Sequence, residues 1–319
     1  MRLAVLLAFA LAAAPGVAQP GRPADHSAWV TLGTTAGPVP NPTRSQPANL
    51  LRWRDQNILI DAGDGAAEQL AKAGVRLDSI RTIFISHHHF DHTGGLFAIL
   101  GMRYQTQVTA PLTIYGPPGT RRMIEGLLAA MQPMSEVGSG LVGGPPRRPV
   151  EAGIQVEEIA DGAHVTLGDI RITAARNSHY SYPEASPEAQ RFQSLSFRFD
   201  LPDRSIFYTG DTGPSAAVER LAAGADLLVS EVIDPDGAMA DLLRQRPDLP
   251  ILARAFIMQH FREQHLTATA AGQIARAAHV RRLVLTHLAV APEGIAATRA
   301  AAAAAYGGPV EVASDLGRY

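Results

Sequence analysis

The sequence predicts an α/β fold of four layers, an αββα sandwich in which two mixed sheets pack face to face with helices outside. Three observations carry this. Short β-branched and aromatic runs bounded by Gly, Pro or Asp recur along the chain and read as strands. They fall into two halves, each opening on strands and closing on alternating strand and helix. Metal-capable side chains stand just past the ends of several of these runs. With 319 residues, 46% hydrophobic and 18% charged, the chain is long enough to bury a sizeable core.

Residues 1–18 carry Arg2, an apolar run from Leu3 to Ala14, and small residues at Gly16, Val17 and Ala18. That is the pattern of an export signal. The run is too short to cross a bilayer, so no membrane anchor is expected. The absence of Cys excludes disulfides and cysteine-linked lipid. No linker separates the two halves, so residues 19–319 are expected to form one domain, exported to a periplasm or secreted. A formal charge of −2, with paired arginines only at Arg121-Arg122, Arg147-Arg148 and Arg281-Arg282, argues against a protein built to grip a polyanion.

In order, Ala28 to Thr34 reads as a strand and the proline-rich segment Gly37 to Pro42 as a rigid loop. Asn49 to Trp53 and Asn57 to Ile60 form a hairpin that runs into Asp61-Ala62-Gly63-Asp64-Gly65. Ala66 to Ala73 is helical, stopped by Gly74. Thr82 to Ile85 is a buried strand, and a helix opens at Leu96. Leu112 to Tyr115 is a strand that Gly116-Pro117-Pro118-Gly119 turns into a helix through Met131.

Residues 132–149 are rich in Gly and Pro and are expected to be a mobile loop beside the site, part of it a lid. Their Gly138-x-Gly140-x-x-Gly143 spelling has no strand before it, and Pro145-Pro146 block a helix behind it. It is therefore no dinucleotide fingerprint. Further strands are expected at Ile154 to Ile159, Ile170 to Ala174, Ser194 to Phe199, Ser205 to Tyr208, Leu227 to Ser230, Leu283 to Thr286 and Val310 to Ala313.

Between the strand at Thr82 and the helix at Leu96 stands Ser86-His87-His88-His89-Phe90-Asp91-His92-Thr93-Gly94-Gly95. Imidazole and carboxylate suit zinc and its neighbours, and no thiolate competes. Alternate residues of an extended turn point the same way, so His87 and His89 can share one metal. Asp91 and His92, displaced along the turn, can reach a second. His88 is expected to point away. More ligands are needed, and His179, Asp211 and His287 each follow an apolar strand.

The order His-x-His-x-Asp-His, then His, Asp and His, resembles the metallo-β-lactamase superfamily over nearly all of residues 19–319. Asp61 in Leu59-Ile60-Asp61-Ala62-Gly63 matches that family's first motif. Thr209-Gly210-Asp211-Thr212, His265-Leu266-Thr267-Ala268, Leu285-Thr286-His287 and the Tyr115 to Gly119 turn resemble the branch holding ribonuclease Z and the zinc-dependent arylsulfatases. The resemblance implies the metallo-β-lactamase fold and two divalent metal ions, zinc before others. It gives His87, His89 and His179 to one ion and Asp91, His92 and His287 to the other, with Asp211 bridging and Asp61 supporting the metal loop from behind.

Two such ions activate a shared water for attack on sulfur, phosphorus or carbonyl carbon. Asp91 is expected to move protons besides ligating, and His265 to contact a substrate oxygen or protonate the leaving group. Tyr180 and Tyr182 are expected to line the substrate pocket. Transfer-RNA processing fits the sequence badly: the chain reads as exported and slightly acidic. Only a short segment separates His179 from the strand at Ser194, where ribonuclease Z, by the resemblance, carries its tRNA-gripping arm. The expectation is thus a hydrolase of small anionic esters, arylsulfate or phosphodiester, with no nucleic-acid partner and oligomeric state open. A lactone or β-lactam hydrolase on the same centre is the alternative, and a catalytically silent metal-binding module the third reading.

Overall fold

The computed structural model describes residues 26–37, 39–141 and 148–319. The export-signal residues 1–18 therefore lie outside the described residues. The N-terminal half supplies β1 (Ala28–Gly33), β2 (Ala48–Trp53), β3 (Gln56–Ala62), β4 (Ile80–Phe84), β5 (Leu112–Gly116) and β6 (Ile154–Glu158). The C-terminal half supplies β7 (His164–Leu167), β8 (Ile170–Arg176), β9 (Leu195–Asp200), β10 (Ser205–Tyr208), β11 (Leu227–Ile233), β12 (Leu283–Ala289) and β13 (Val310–Val312). A last strand, β14 (Gly317–Arg318), returns to the first sheet.

The two sheets have the same plan. The first runs β14-β1-β2-β3-β4-β5-β6 and the second β13-β12-β11-β10-β9-β8-β7. In each, the chain starts with antiparallel neighbours and ends with parallel ones. Parallel strands need crossovers, which the helices provide on the outer faces.

The central strands read as continuous apolar runs because both of their faces are covered. On the first sheet Leu50, Leu59, Ile83 and Ile114 pack outward under helices. Alternate residues Leu51, Ile58, Ile60 and Phe84 point inward to meet Ile172, Phe197, Phe199, Tyr208, Val229 and Val284 of the second sheet. Trp29 and Phe199 meet across that seam at 5.8 Å, and Phe84 and Phe197 at 5.5 Å. A third cluster seats the helices Ala268–Ala277 and Ile295–Tyr306 on the outer face of the second sheet. Three apolar layers between four structural ones make the αββα sandwich.

Two details differ from the sequence reading. The segment expected to be a loop from 132 begins as a helix, Gln132–Val137, with Ser135 hydrogen-bonded to the Tyr104 hydroxyl at 2.7 Å. Residues 142–147 of that segment lie outside the described residues. Between β11 and β12 the chain also inserts two helices, Pro235–Gln245 and Ile251–Glu263, which bring His260 to the rim of the centre. Among the described residues no helix is long and apolar enough to cross a membrane.

Candidate metal centre

Every strand that feeds the centre does so at its C-terminal end. β4 runs into the turn Ser86–His89, which is pinned to the second sheet by Leu195 N–H donating to Ser86 O at 2.9 Å. It then enters the one-turn helix Phe90–Thr93. Gly95 N–H ties that turn to β3 through Ala62 O at 2.8 Å. The approach is close: a Cβ on Gly63 would lie 2.1 Å from Asp91 O, and one on Gly95 would lie 2.3 Å from Gly63 O. Only glycine fits there.

Two of the side chains are aimed by β-bulges. Along β2 and β3, Ala48 pairs with Ala62 and Asn49 with Ile60, so Asp61 is the extra residue, with φ +57°. Along β11 and β12, Glu231 pairs with Thr286 and Val232 with Leu288, so His287 is extra, with φ +46°. A bulge turns one side chain out of the pleat. Left-handed backbone at a non-glycine residue costs on the order of 1 kcal/mol or more and persists where packing imposes it.

The structure brings together all seven side chains expected as ligands. His87, His89, His179 and Asp211 offer atoms within 4.8 Å of one another, as do Asp91, His92, Asp211 and His287. Asp211 belongs to both groups. Its Oδ1 is 3.2 Å from His92 Nε2, and its Oδ2 is 3.2 Å from His287 Nε2 and 3.8 Å from His87 Nε2. His179 Nε2 faces His89 Nδ1 at 3.0 Å. His88 points away, its Nε2 against Thr120 Oγ1 at 2.9 Å.

The outer nitrogens are held by oxygen. His92 Nδ1 lies 2.8 Å from Asp61 Oδ2, and His179 Nδ1 lies 3.0 Å from Gln264 O. His87 Nδ1 lies 3.0 Å from Ser86 Oγ, which donates to Asp61 Oδ2 at 2.8 Å. Each such oxygen can take the Nδ1 proton, the tautomer in which Nε2 faces the centre as a donor to a metal. His87 Nε2, His92 Nε2 and Asp211 Oδ1 are buried with no hydrogen-bond partner. Buried polar atoms are ordinarily satisfied, so inward-facing lone pairs of this kind fit a cation.

Charge tells the same story. Burial pushes the imidazoles of His87 and His179 well down, which keeps them neutral and able to coordinate. Burial acts on His287 in the same direction, but the Asp211 carboxylate outweighs it and lifts the ring to about 10. Burial would raise the Asp211 carboxyl, yet His287 and His92 hold it well below the carboxylate range. So much carboxylate and imidazole in a dry pocket calls for positive charge, supplied by protons or by a metal. The donor set is one of nitrogen and oxygen, suited to divalent zinc, iron or manganese.

Asp61 is wholly buried and accepts from Ser86 N–H at 2.7 Å and from Ser86 Oγ, His92 Nδ1 and Tyr208 Oη at 2.8 Å each. His265 lies in the wall, its ring 4.8 Å from that of His179, with Nδ1 2.7 Å from Glu231 Oε2. Sequence reasoning missed Glu231; its signal is a lone carboxylate inside the buried run of β11. It also set His260 aside, yet His260 Nε2 lies 3.2 Å from His265 Nε2. Tyr180 lies tilted against His179 with ring centroids 5.3 Å apart, whereas Tyr182 stands 45% exposed, one ring further out.

A beta-lactamase superfamily domain model matches residues 56–288. Ribonuclease Z of Mycobacterium avium (strain 104) is 32% identical over 301 residues, covering 91% of this chain and 96% of its own. Ribonuclease Z of Mycobacterium sp. (strain KMS) is 31% identical over 293 residues, covering 91% and 94%. Among solved structures, the metallo-β-lactamase fold protein YhfI from Bacillus subtilis superposes with TM-score 0.65 at 18% identity, covering 92% of this chain and 98% of its own. Human tRNase Z, short form, superposes with TM-score 0.62 at 24% identity, covering 92% and 98%.

These relatives overturn three expectations. Proteins named for cutting RNA, matched over 91% of this chain, stand against hydrolysis of small arylsulfate-type esters or lactones, against the exclusion of nucleic acid and against export. The physical arguments for those expectations were global or indirect. A formal charge of −2 averages over the whole surface and does not describe a local patch such as the groove beside His88 that Arg122 and Arg191 line. The short segment after His179 speaks for one insertion only, and this chain inserts its helices after β11 instead. The divalent-metal-dependent hydrolase expectation stands, and the chain belongs to the beta-lactamase superfamily, on its ribonuclease Z branch.

Proposed function

We propose that this protein is a metal-dependent phosphodiesterase whose substrate is RNA, transfer-RNA precursors in the first place. The observation that supports it most is the convergence of seven nitrogen and oxygen donors around Asp211 in a chain matched nearly end to end by ribonuclease Z. His87, His89 and His179 would hold one divalent ion, Asp91, His92 and His287 a second, and Asp211 both, with zinc the favoured metal. Such a pair polarises a phosphoryl oxygen and activates water at neutral pH.

The chain's own groups do the rest. Asp61 and Ser86 lock the rings of His92 and His87 in the tautomer that ligation requires. Gly37 N–H, 2.8 Å from Asp91 Oδ2, fixes the Asp91 carboxylate, which shares in proton transfer. His265, its imidazole raised against burial by the Glu231 carboxylate, is placed to donate a proton to the departing oxygen, and Tyr180 bounds the pocket on the His89 side. The test is cleavage of an unprocessed transfer-RNA transcript by zinc-loaded protein, beside bis-nitrophenyl phosphate. Discrete cutting of the transcript is expected; turnover of the small diester with an intact transcript would overturn the reading.

A further inference from the structure

Beside the metal turn, on the side to which His88 points, lies an open groove of about 610 Å³ lined by His88, Gly119, Arg122, Met123, Arg191 and Phe192, among others. A second cavity of about 370 Å³ is walled by Tyr180, Tyr182 and Phe192, among others, and Phe192 lines both. The rings form a series. Tyr180 is 5.5 Å from His89, Tyr182 is 6.4 Å from Tyr180, and Phe192 is 5.7 Å from Tyr182. Tyr182 and Phe192 are 45% and 39% exposed, although large aromatic side chains usually bury themselves.

Two cations flank the outer end. Arg191 lies over the Phe192 ring at 5.1 Å, and the Arg122 side chain lines the same groove. Among the described residues no carboxylate pairs with either, while Arg176 nearby pairs with Glu184 at 3.5 Å. A series of partly exposed aromatic rings with guanidinium groups at its outer end suits one ligand chemistry: a single nucleic-acid strand, bases on the rings and phosphates on the arginines. A duplex cannot use such a series, because its bases are already stacked on one another.

We propose that Tyr182, Phe192, Arg191 and Arg122 form a single-strand track that holds the unpaired nucleotides next to the bond cut at the metal centre. The track rests on the RNA reading above and gives it a substrate form: an unpaired segment of a few nucleotides, sequence-tolerant, leading away from the ions past Tyr180.

The experiment reads binding apart from cleavage. A fluorescein-labelled oligouridylate of about ten nucleotides, within the usual span of such tracks, is titrated into the metal-loaded full chain by anisotropy. Tyr182→Ala and Phe192→Ala are each expected to raise Kd on the order of 5- to 150-fold, the range for losing one stacked base. Tyr182→Phe and Phe192→Tyr keep a ring and are expected to stay within about twofold; unchanged melting of all four checks their folding. Arg122→Ala with Arg191→Ala should flatten the salt dependence of Kd. If the alanine variants bind like wild type, or a duplex of equal length binds as tightly, the track is overturned even where RNA is cut. If the wild type binds and the alanine variants do not, the track stands even where no RNA is cut, and only the ribonuclease reading falls.

Discussion

His265 Nδ1 lies 2.7 Å from Glu231 Oε2, and both side chains are buried in the wall of the metal centre. Burial alone would lower the His265 imidazole; the Glu231 carboxylate outweighs it and raises the ring above its ordinary 6.5. A raised imidazole stays charged below its shifted value and loses its proton above it. A proton-donating His265 therefore makes kcat/KM fall on the alkaline side, with a midpoint above 6.5. In Glu231→Gln the largest influence opposing burial is gone, so that alkaline limb should move to lower pH and kcat drop by about 10²- to 10⁴-fold. The pH profile on RNA decides it. A limb that stays in place removes the pair from proton transfer.

Asp61 takes four hydrogen bonds from three residues in a fully buried position. Asp61→Ala strands Ser86, His92 and Tyr208 together, and breaking a buried charged network of this kind costs about 3–5 kcal/mol. Asp61→Asn keeps the volume but cannot accept all four. We expect the Asn variant to fold with zinc affinity lower by about 10- to 100-fold, as for other residues that orient a metal ligand. Competition with a chromophoric chelator measures this, and wild-type affinity would show that the carboxylate does not orient His92.

How far the sequence carried depends on what kind of feature is asked for. The strands were legible because Leu59, Ile83 or Val229 sits in an uninterrupted apolar run, which only a strand covered on both faces tolerates. The metal-capable residues were legible because they follow those runs. The bulges at Asp61 and His287 were not: a positive φ at Asp or His leaves no mark in the residue type. Glu231 was hidden by its neighbours, since its partner His265 is remote in the chain and only the packed sheet brings the two together. Least legible was the groove beside His88, because Phe192 and Arg122 come from separate segments and line it together only in the fold.

Gly37 shows how closely the loop after β1 clasps the ligands. Its N–H donates to Asp91 Oδ2 at 2.8 Å, and a Cβ there would fall 2.2 Å from Asp91 Cβ. The nearest obstacle is the Asp91 Cβ itself, fixed to a backbone that Gly63 approaches closely at Asp91 O, so it cannot simply swing aside. Gly37→Ala should therefore displace the Asp91 carboxylate while leaving both sheets intact. We expect near-native far-ultraviolet circular dichroism, weakened binding of the ion held by Asp91, His92 and His287, and turnover down by about 10²-fold or more. Wild-type kinetics would mean that this loop moves freely, against the contact seen.

Asp211 is the one side chain common to both donor groups, so its removal separates a one-metal from a two-metal centre. Asp211→Ala takes the shared carboxylate from between four imidazoles, and two ions in one pocket then repel each other with nothing between them. Elemental analysis of protein loaded with excess zinc and desalted is expected to give about two ions for wild type and one or fewer for the variant. The metal also adds stability by binding only the folded chain, about 2.7 kcal/mol at a free concentration a hundred times Kd. Chelation should then lower the melting temperature of wild type by several degrees and that of the variant by clearly less. Should Asp211→Ala retain both ions and the full chelator-sensitive shift, the carboxylate would not be a shared ligand, and the division of the donors into two groups would have to be redrawn.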